Sequence, residues 1–167
     1  MESLPFLAGV ASMFLALLGA LSAAHKISER ERTIAAAAAL VRSEGVLARG
    51  AWAGAITVEL TSAALLLFPT TRASGALLLL LLWAAYTAAL VLARSGRVVA
   101  DCGCSFGHHG APGRFPLFRN GLLLLLAFWV VMATQGSLGF AGWVLAVVAA
   151  IALIALYLAA DAIGSRF

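Results

Sequence analysis

Charge is what this sequence has least of. Asp, Glu, Lys and Arg make up 11% of its 167 residues, against about 25% in an ordinary soluble domain. It therefore cannot present a conventional wetted surface. The apolar share is 63% and the mean hydropathy +1.05, values that point to an integral membrane protein. No hydrophilic stretch is long enough to make a separate soluble domain, so one membrane domain over residues 1–167 is expected. Cysteine is nearly absent: two residues suffice for one disulfide or part of a metal site, and exclude a multiply stapled scaffold. No basic segment precedes the first apolar run, which has Glu2 ahead of it, so that run reads as a retained span and not a signal peptide. The net charge of +4 does not point to nucleic acid, because the arginines sit mostly at the ends of apolar runs, as membrane proteins place them. There is no phosphate-cradling glycine loop, no Ser-His-Asp set and no His-Glu-x-x-His helix, which leaves hydrolase and ATPase readings without support.

What is present is a series of apolar runs. A helix needs about 20 residues to cross the hydrocarbon core. Residues 4–24, 46–68, 73–93, 118–134 and 140–160 are read as spans. The predicted fold is all-α: a multi-pass transmembrane bundle of about five spans with a four-helix core. Gly9, Ser12, Gly19 and Ser22 punctuate the first span and allow a neighbouring helix to approach closely. The connector after it starts charged, passes through apolar residues 34–41 and turns polar again. That apolar segment is too short to cross and has arginines on both sides, so a short interfacial helix is expected. Pro69 stops the second span. Residues 94–117 contain five glycines and two prolines without periodicity and are read as an irregular loop.

Five spans place the connector, the 94–117 loop and the C-terminus on one face, where the connector helix can lie over the loop as a lid. Ten of the eleven lysines and arginines fall on that face and Arg72 alone on the other. The positive-inside rule then puts the loop in the cytoplasm, whereas stable disulfides belong to the exported side. Charge distribution and thiol chemistry thus point in opposite directions.

The loop holds Asp101-Cys102-Gly103-Cys104-Ser105-Phe106-Gly107-His108-His109, with both cysteines of the chain. A disulfide across one intervening glycine closes a small, strained and easily reduced ring, suited to passing oxidising equivalents more than to holding a fold. Two other readings stay open: a pair of free thiols, and a zinc or copper site from Cys102, Cys104, His108 and His109, although zinc sites usually space their cysteines more widely. Asp101 would raise the neighbouring thiol pKa by like-charge repulsion unless an arginine offsets it. Glu59 lies near the middle of the second span, where a carboxylate is costly and faces the bundle interior with a partner. Lys26 or Arg119 can be that partner, and the role is either a helix–helix contact or proton handling. Lys26 sits at the membrane boundary, where a lysine usually snorkels to the headgroups; the functional alternative is pairing with Glu59 or stabilising a thiolate. Arg119-Asn120 opens the fourth span, where Arg119 can brace Asp101 or act as an interfacial anchor. Tyr86 can donate a hydrogen bond inside the bundle. Trp52, Trp83, Trp129 and Trp143 are read as packing or interface residues.

Together, His25-Lys26, Glu59, Tyr86, Asp101-Cys102-Gly103-Cys104 with Phe106-Gly107, and Arg119-Asn120 resemble the MauE family of methylamine-utilisation membrane proteins, akin to the DoxX-like proteins. The resemblance runs over roughly residues 7–134. Ser105 stands where that family usually has Phe directly after the second cysteine. The resemblance implies a multi-pass protein of a bacterial-type plasma (inner) membrane that supports maturation of a disulfide-containing exported client, in the namesake case the small subunit of methylamine dehydrogenase. It also implies a thioredoxin-like redox partner. On that reading Cys102 and Cys104 are the redox pair, and Asp101, Glu59 and Arg119 serve it as a thiol–disulfide oxidoreductase would require. No cofactor is implied, and no sequence feature names an electron sink, a quinone being one option. A non-catalytic assembly factor and a Cys/His metal carrier are the competing functions; the lipid bilayer is a partner in all of them, and nucleic acid in none.

Overall fold

The computed structural model describes residues 3–95, 115–133, 136 and 138–164. These form six helices and no strand: α1 Ser3–Ser28, α2 Arg30–Val41, α3 Val46–Leu66, α4 Arg72–Ser95, α5 Phe115–Met132 and α6 Phe140–Gly164. The chain is thus the expected all-helical, multi-pass bundle. Three helices are long and apolar enough to cross a membrane, over Leu4–Ser28, Arg72–Leu92 and Phe140–Ile163. The apolar stretch of α5, Leu117–Met132, is shorter, and α3, which carries Arg49 and Glu59, is not among the three.

α1 is the axis of the bundle. It packs on α3 and α6, touches α5, α4 and α2, and 56% of its apolar window is buried, against 22% for α4 and 17% for α6. Its sequence explains this. Ser12, Leu15, Ala16 and Gly19 are all buried, and the small ones let partners close in on several sides. A Cβ added at Gly19 would meet the Glu59 carbonyl at 3.4 Å, so α3 rests on α1 at that point. α3 and α4 are closer still: a Cβ at Gly75 would lie 2.9 Å from the Ser62 carbonyl. The outer surfaces stay apolar, with Leu145, Val148, Ile151 and Leu156 of α6 exposed, as a lipid-facing helix requires and a water-facing one avoids.

Several boundaries differ from expectation. α1 does not stop at residue 24 but continues through His25 and Lys26 to Ser28, because Lys26 is neutralised from within the bundle and need not leave the helix for water. α2 begins at Arg30, taking in the charged half of the connector. Only Glu29 separates it from α1, and the Glu29 N–H still bonds the His25 carbonyl at 2.9 Å. α2 ends with Arg42 in the left-handed conformation (φ 52°, ψ 35°), its N–H bonded to the Ala38 carbonyl. Gly45 (φ 71°) then admits the reversal into α3. α5 starts at Phe115, three residues earlier than expected. Pro116 is no obstacle there, since the first helical turn needs no N–H from it.

Candidate functional site

Most of the buried polar side chains among the described residues lie in two groups, one around Glu59 and one around Arg119. Glu59 on α3 is fully buried. Its Oε1 accepts hydrogen bonds from Lys26 Nζ at 2.7 Å and from Ser22 Oγ at 2.9 Å. Lys26 also donates to Ser22 Oγ at 2.7 Å, which closes a triangle. Residues 22 and 26 are four apart on α1 and so share a face. Lys26 is 4% exposed, and its ammonium lies 5.6 Å from the centroid of the Tyr86 ring on α4, close enough for cation–π attraction. The second carboxylate oxygen of Glu59, Oε2, is buried without a hydrogen-bond partner among the described residues.

A second buried ion pair joins Arg119 of α5 to Asp161 of α6, both under 10% exposed. The Arg119 guanidinium lies 5.9 Å from the Tyr157 ring, which Phe14 of α1 meets edge-on at 6.1 Å between centroids. The adjacent Asn120 turns to α4, its Nδ2 donating to Thr87 Oγ1 at 3.5 Å. Thr87 follows Tyr86 in the chain. A single polar layer therefore crosses the bundle: Glu59 and Lys26, Tyr86 and Thr87, Asn120 and Arg119, Asp161. It draws on α3, α1, α4, α5 and α6.

Above this layer, α2 is pinned by Trp52 and Thr33. The indole Nε1 of Trp52 donates to Thr33 Oγ1 at 3.0 Å and lies 3.3 Å from the Lys26 carbonyl. Thr33 is buried, with its hydroxyl within reach of the Lys26 carbonyl at 3.0 Å. Arg30 stacks over the other side of this joint, 5.6 Å from the Trp52 ring. The end of α1, the start of α2 and the first half of α3 are thus tied where Lys26 enters the core.

Of the residues singled out from sequence, Glu59 and Arg119 both stand in the layer, in separate ion pairs. Glu59 takes Lys26 as its cation. The expectation that Lys26 snorkels to the headgroups is corrected: its charge is held by a carboxylate in the bundle interior, so its stem has no reason to run outward. Arg119 is bonded to Asp161. Asp101, Cys102, Cys104, His108 and His109 lie outside the described residues, and with them the redox-pair and metal readings. Trp52 is more than packing, since it hydrogen-bonds across two elements. Ser22, Thr33, Asp161 and Tyr157 were not anticipated. Asp161 had a signal: it is the one acidic residue within α6, and the rule applied to Glu59 applies to it equally. Ser22 had a weaker one, its spacing of four from Lys26.

A protein-family model described as methylamine utilisation protein MauE matches residues 4–133. No curated protein and no solved structure gives a match. The matched region includes Lys26, Glu59, Tyr86, Thr87, Arg119 and Asn120, and ends before Asp161.

Proposed function

Since this membrane protein belongs to the MauE family of methylamine utilisation proteins, we propose that it is a thiol–disulfide redox protein of a bacterial-type inner membrane, in which Cys102 and Cys104 alternate between disulfide and dithiol. The client is a disulfide-containing exported protein. A client thiolate attacks one sulfur of the Cys102–Cys104 disulfide, giving a mixed disulfide, and the second client thiolate displaces it. The client gains a disulfide, and the two electrons and two protons end on Cys102 and Cys104 as thiols. A thioredoxin-like protein in its disulfide form restores the pair by the reverse exchange. Such transfer depends on thiolate character and access. Asp101 and Arg119 shape the loop, and Glu59, paired with Lys26, balances charge in the bundle.

The observation that supports this reading is the placement of the polar layer. Arg119 stands one turn after Phe115, where the 96–114 segment re-enters the bundle, and Asn120 ties that turn to Thr87 on the helix from which the segment departs. The test is thiol counting. Purified protein is alkylated with a mass tag before and after reduction; the oxidised form should gain two tags on reduction. An unchanged tag count, in protein prepared without reductant, removes the relay.

A further inference from the structure

Among the described residues the bundle buries five charged side chains: Lys26, Glu59, Arg72, Arg119 and Asp161. Four of them are taken up by the two ion pairs. Arg72, 2% exposed, is left over. Its Nε and Nη1 are enclosed without a hydrogen-bond partner. Nη2 has no partner among the described residues either but is not enclosed, so the guanidinium is reached along that edge. A guanidinium does not shed its proton to escape burial, and an unpaired charge is the costliest group an apolar bundle can hold. Arg72 is also the first residue of α4. The Gly75 N–H bonds the Thr71 carbonyl at 3.0 Å, while no backbone carbonyl among the described residues accepts from the N–H groups of Arg72, Ala73 or Ser74. Helical Cα–Cβ bonds lean toward the N-terminus, which directs the Arg72 stem to this open end of α4 and not along its span.

We propose that the start of α4 is a phosphate-binding site with Arg72 as its cation. An arginine fork matches two oxygens of one phosphate, and unpaired N–H groups at a helix N-terminus favour an anion. Depth selects phosphate over other oxyanions. The apolar span of α4 begins at Arg72 itself, and Leu67, Phe68 and Leu77 on either side are exposed, so the guanidinium sits where hydrocarbon gives way to headgroups. Phosphate is the anion that phospholipids carry at that level. Both leaflets hold it, so the site does not depend on which way the chain faces. Two sources share this chemistry, the headgroup of an anionic phospholipid and free phosphate from the adjoining water. The proposal does not depend on the thiol reading either, because the 96–114 segment follows the far end of the 24-residue α4.

The full chain in a non-ionic, phosphate-free detergent decides it, with three labelled probes: dioleoyl phosphatidylglycerol, inorganic phosphate, and dioleoylglycerol, which has the same tails and no phosphate. Saturable binding of the phospholipid or of inorganic phosphate is expected at one site per chain, and the arm that binds identifies the source. Dioleoylglycerol should bind no better than to empty micelles. Arg72→Met should weaken binding about tenfold or more, whereas Arg49→Met, which removes an exposed cation from α3, should not. The probe that binds should also raise the thermal midpoint of the wild type and leave that of Arg72→Met where it was. Saturable binding of neither phosphate probe, dioleoylglycerol binding equal to the phospholipid, or full affinity in Arg72→Met overturns the proposal. Should Arg72→Met fail to fold, Thr70→Glu decides instead. Thr70 is exposed in the turn that leads into α4, and a carboxylate there should weaken binding by like-charge repulsion; affinity equal to that of the wild type sinks the site.

Discussion

At the scale of single residues the molecule turns on one carboxylate. Glu59 has no water to turn to, and its ion pair with Lys26 offsets a desolvation cost of several kcal/mol per charge. Such a pair adds little to stability beyond an apolar substitute, yet breaking it is expensive because the survivor stays buried and unpaired. Glu59→Gln leaves an uncompensated ammonium, and Lys26→Met leaves an uncompensated carboxylate. Each should destabilise the protein by about 3–5 kcal/mol. The double variant should lose less than the sum, by a coupling of about 1–3 kcal/mol. Denaturation of the four proteins in one detergent measures this, and additive losses would show that the two charges are not paired. That Glu59 needs a partner was legible in the sequence, because an intramembrane carboxylate must be satisfied. Which cation supplies it was not: Lys26 lies 33 positions away and Arg119 lies 60, and only the packing of α1 on α3 chooses. Asp161 escaped because it lies at the end of an apolar run, where it reads as punctuation.

At the scale of elements, close packing is set by small residues. Gly75 and Gly54 make a contrast. Alanine is the better helix former by roughly 1 kcal/mol, and at Gly54 an added Cβ meets nothing within 4 Å. At Gly75 it would stand 2.9 Å from the Ser62 carbonyl and 3.0 Å from Leu65 Cβ, so α3 and α4 must move apart. Gly54→Ala should leave stability unchanged or raise it, and Gly75→Ala should lower it by about 1–3 kcal/mol. Thermal unfolding of the two variants compares the signs directly, and a stabilised Gly75→Ala would mean that α3 and α4 do not touch there. Helix existence was readable from the apolar runs, and the stop before Pro69 from the proline itself. Helix ends were less so. Polar residues at 25–32 suggested that the chain leaves the bilayer, yet an internal salt bridge at Lys26 and an unbroken backbone hydrogen bond at Glu29 carry helix through most of that segment.

At the scale of the whole molecule, the polar layer and the charge distribution define an asymmetric bundle. Lys26, Arg119 and their carboxylates lie toward one end, whereas Arg72 at the start of α4 lies toward the other and is itself 2% exposed. Several of the basic residues that enter a positive-inside count are thus structural. Lys26 and Arg119 are consumed by Glu59 and Asp161, and their charges say less about orientation than exposed ones do. Orientation rests more on Arg30 and Arg42 of the α2 region, which are exposed, and on the chemistry of the cysteines. Whether α3 crosses the bilayer decides the rest, since it is not among the three helices long and apolar enough to cross. Glu44 and Thr70 flank α3 and are both exposed. In a Cys102→Ser/Cys104→Ser background, Glu44→Cys and Thr70→Cys should react with a membrane-impermeant thiol reagent from opposite sides of intact cells. In the native background Cys102 and Cys104, once reduced, should react from the side that Glu44→Cys does. If labelling puts Glu44→Cys and Thr70→Cys on one side, α3 is re-entrant, and Glu59 reaches Lys26 without its helix spanning the membrane. If the two flanks divide as expected and the native cysteines face the exported side, thiol chemistry has outweighed the arginine count, as it should when both of the layer's cations are bound to carboxylates inside the bundle.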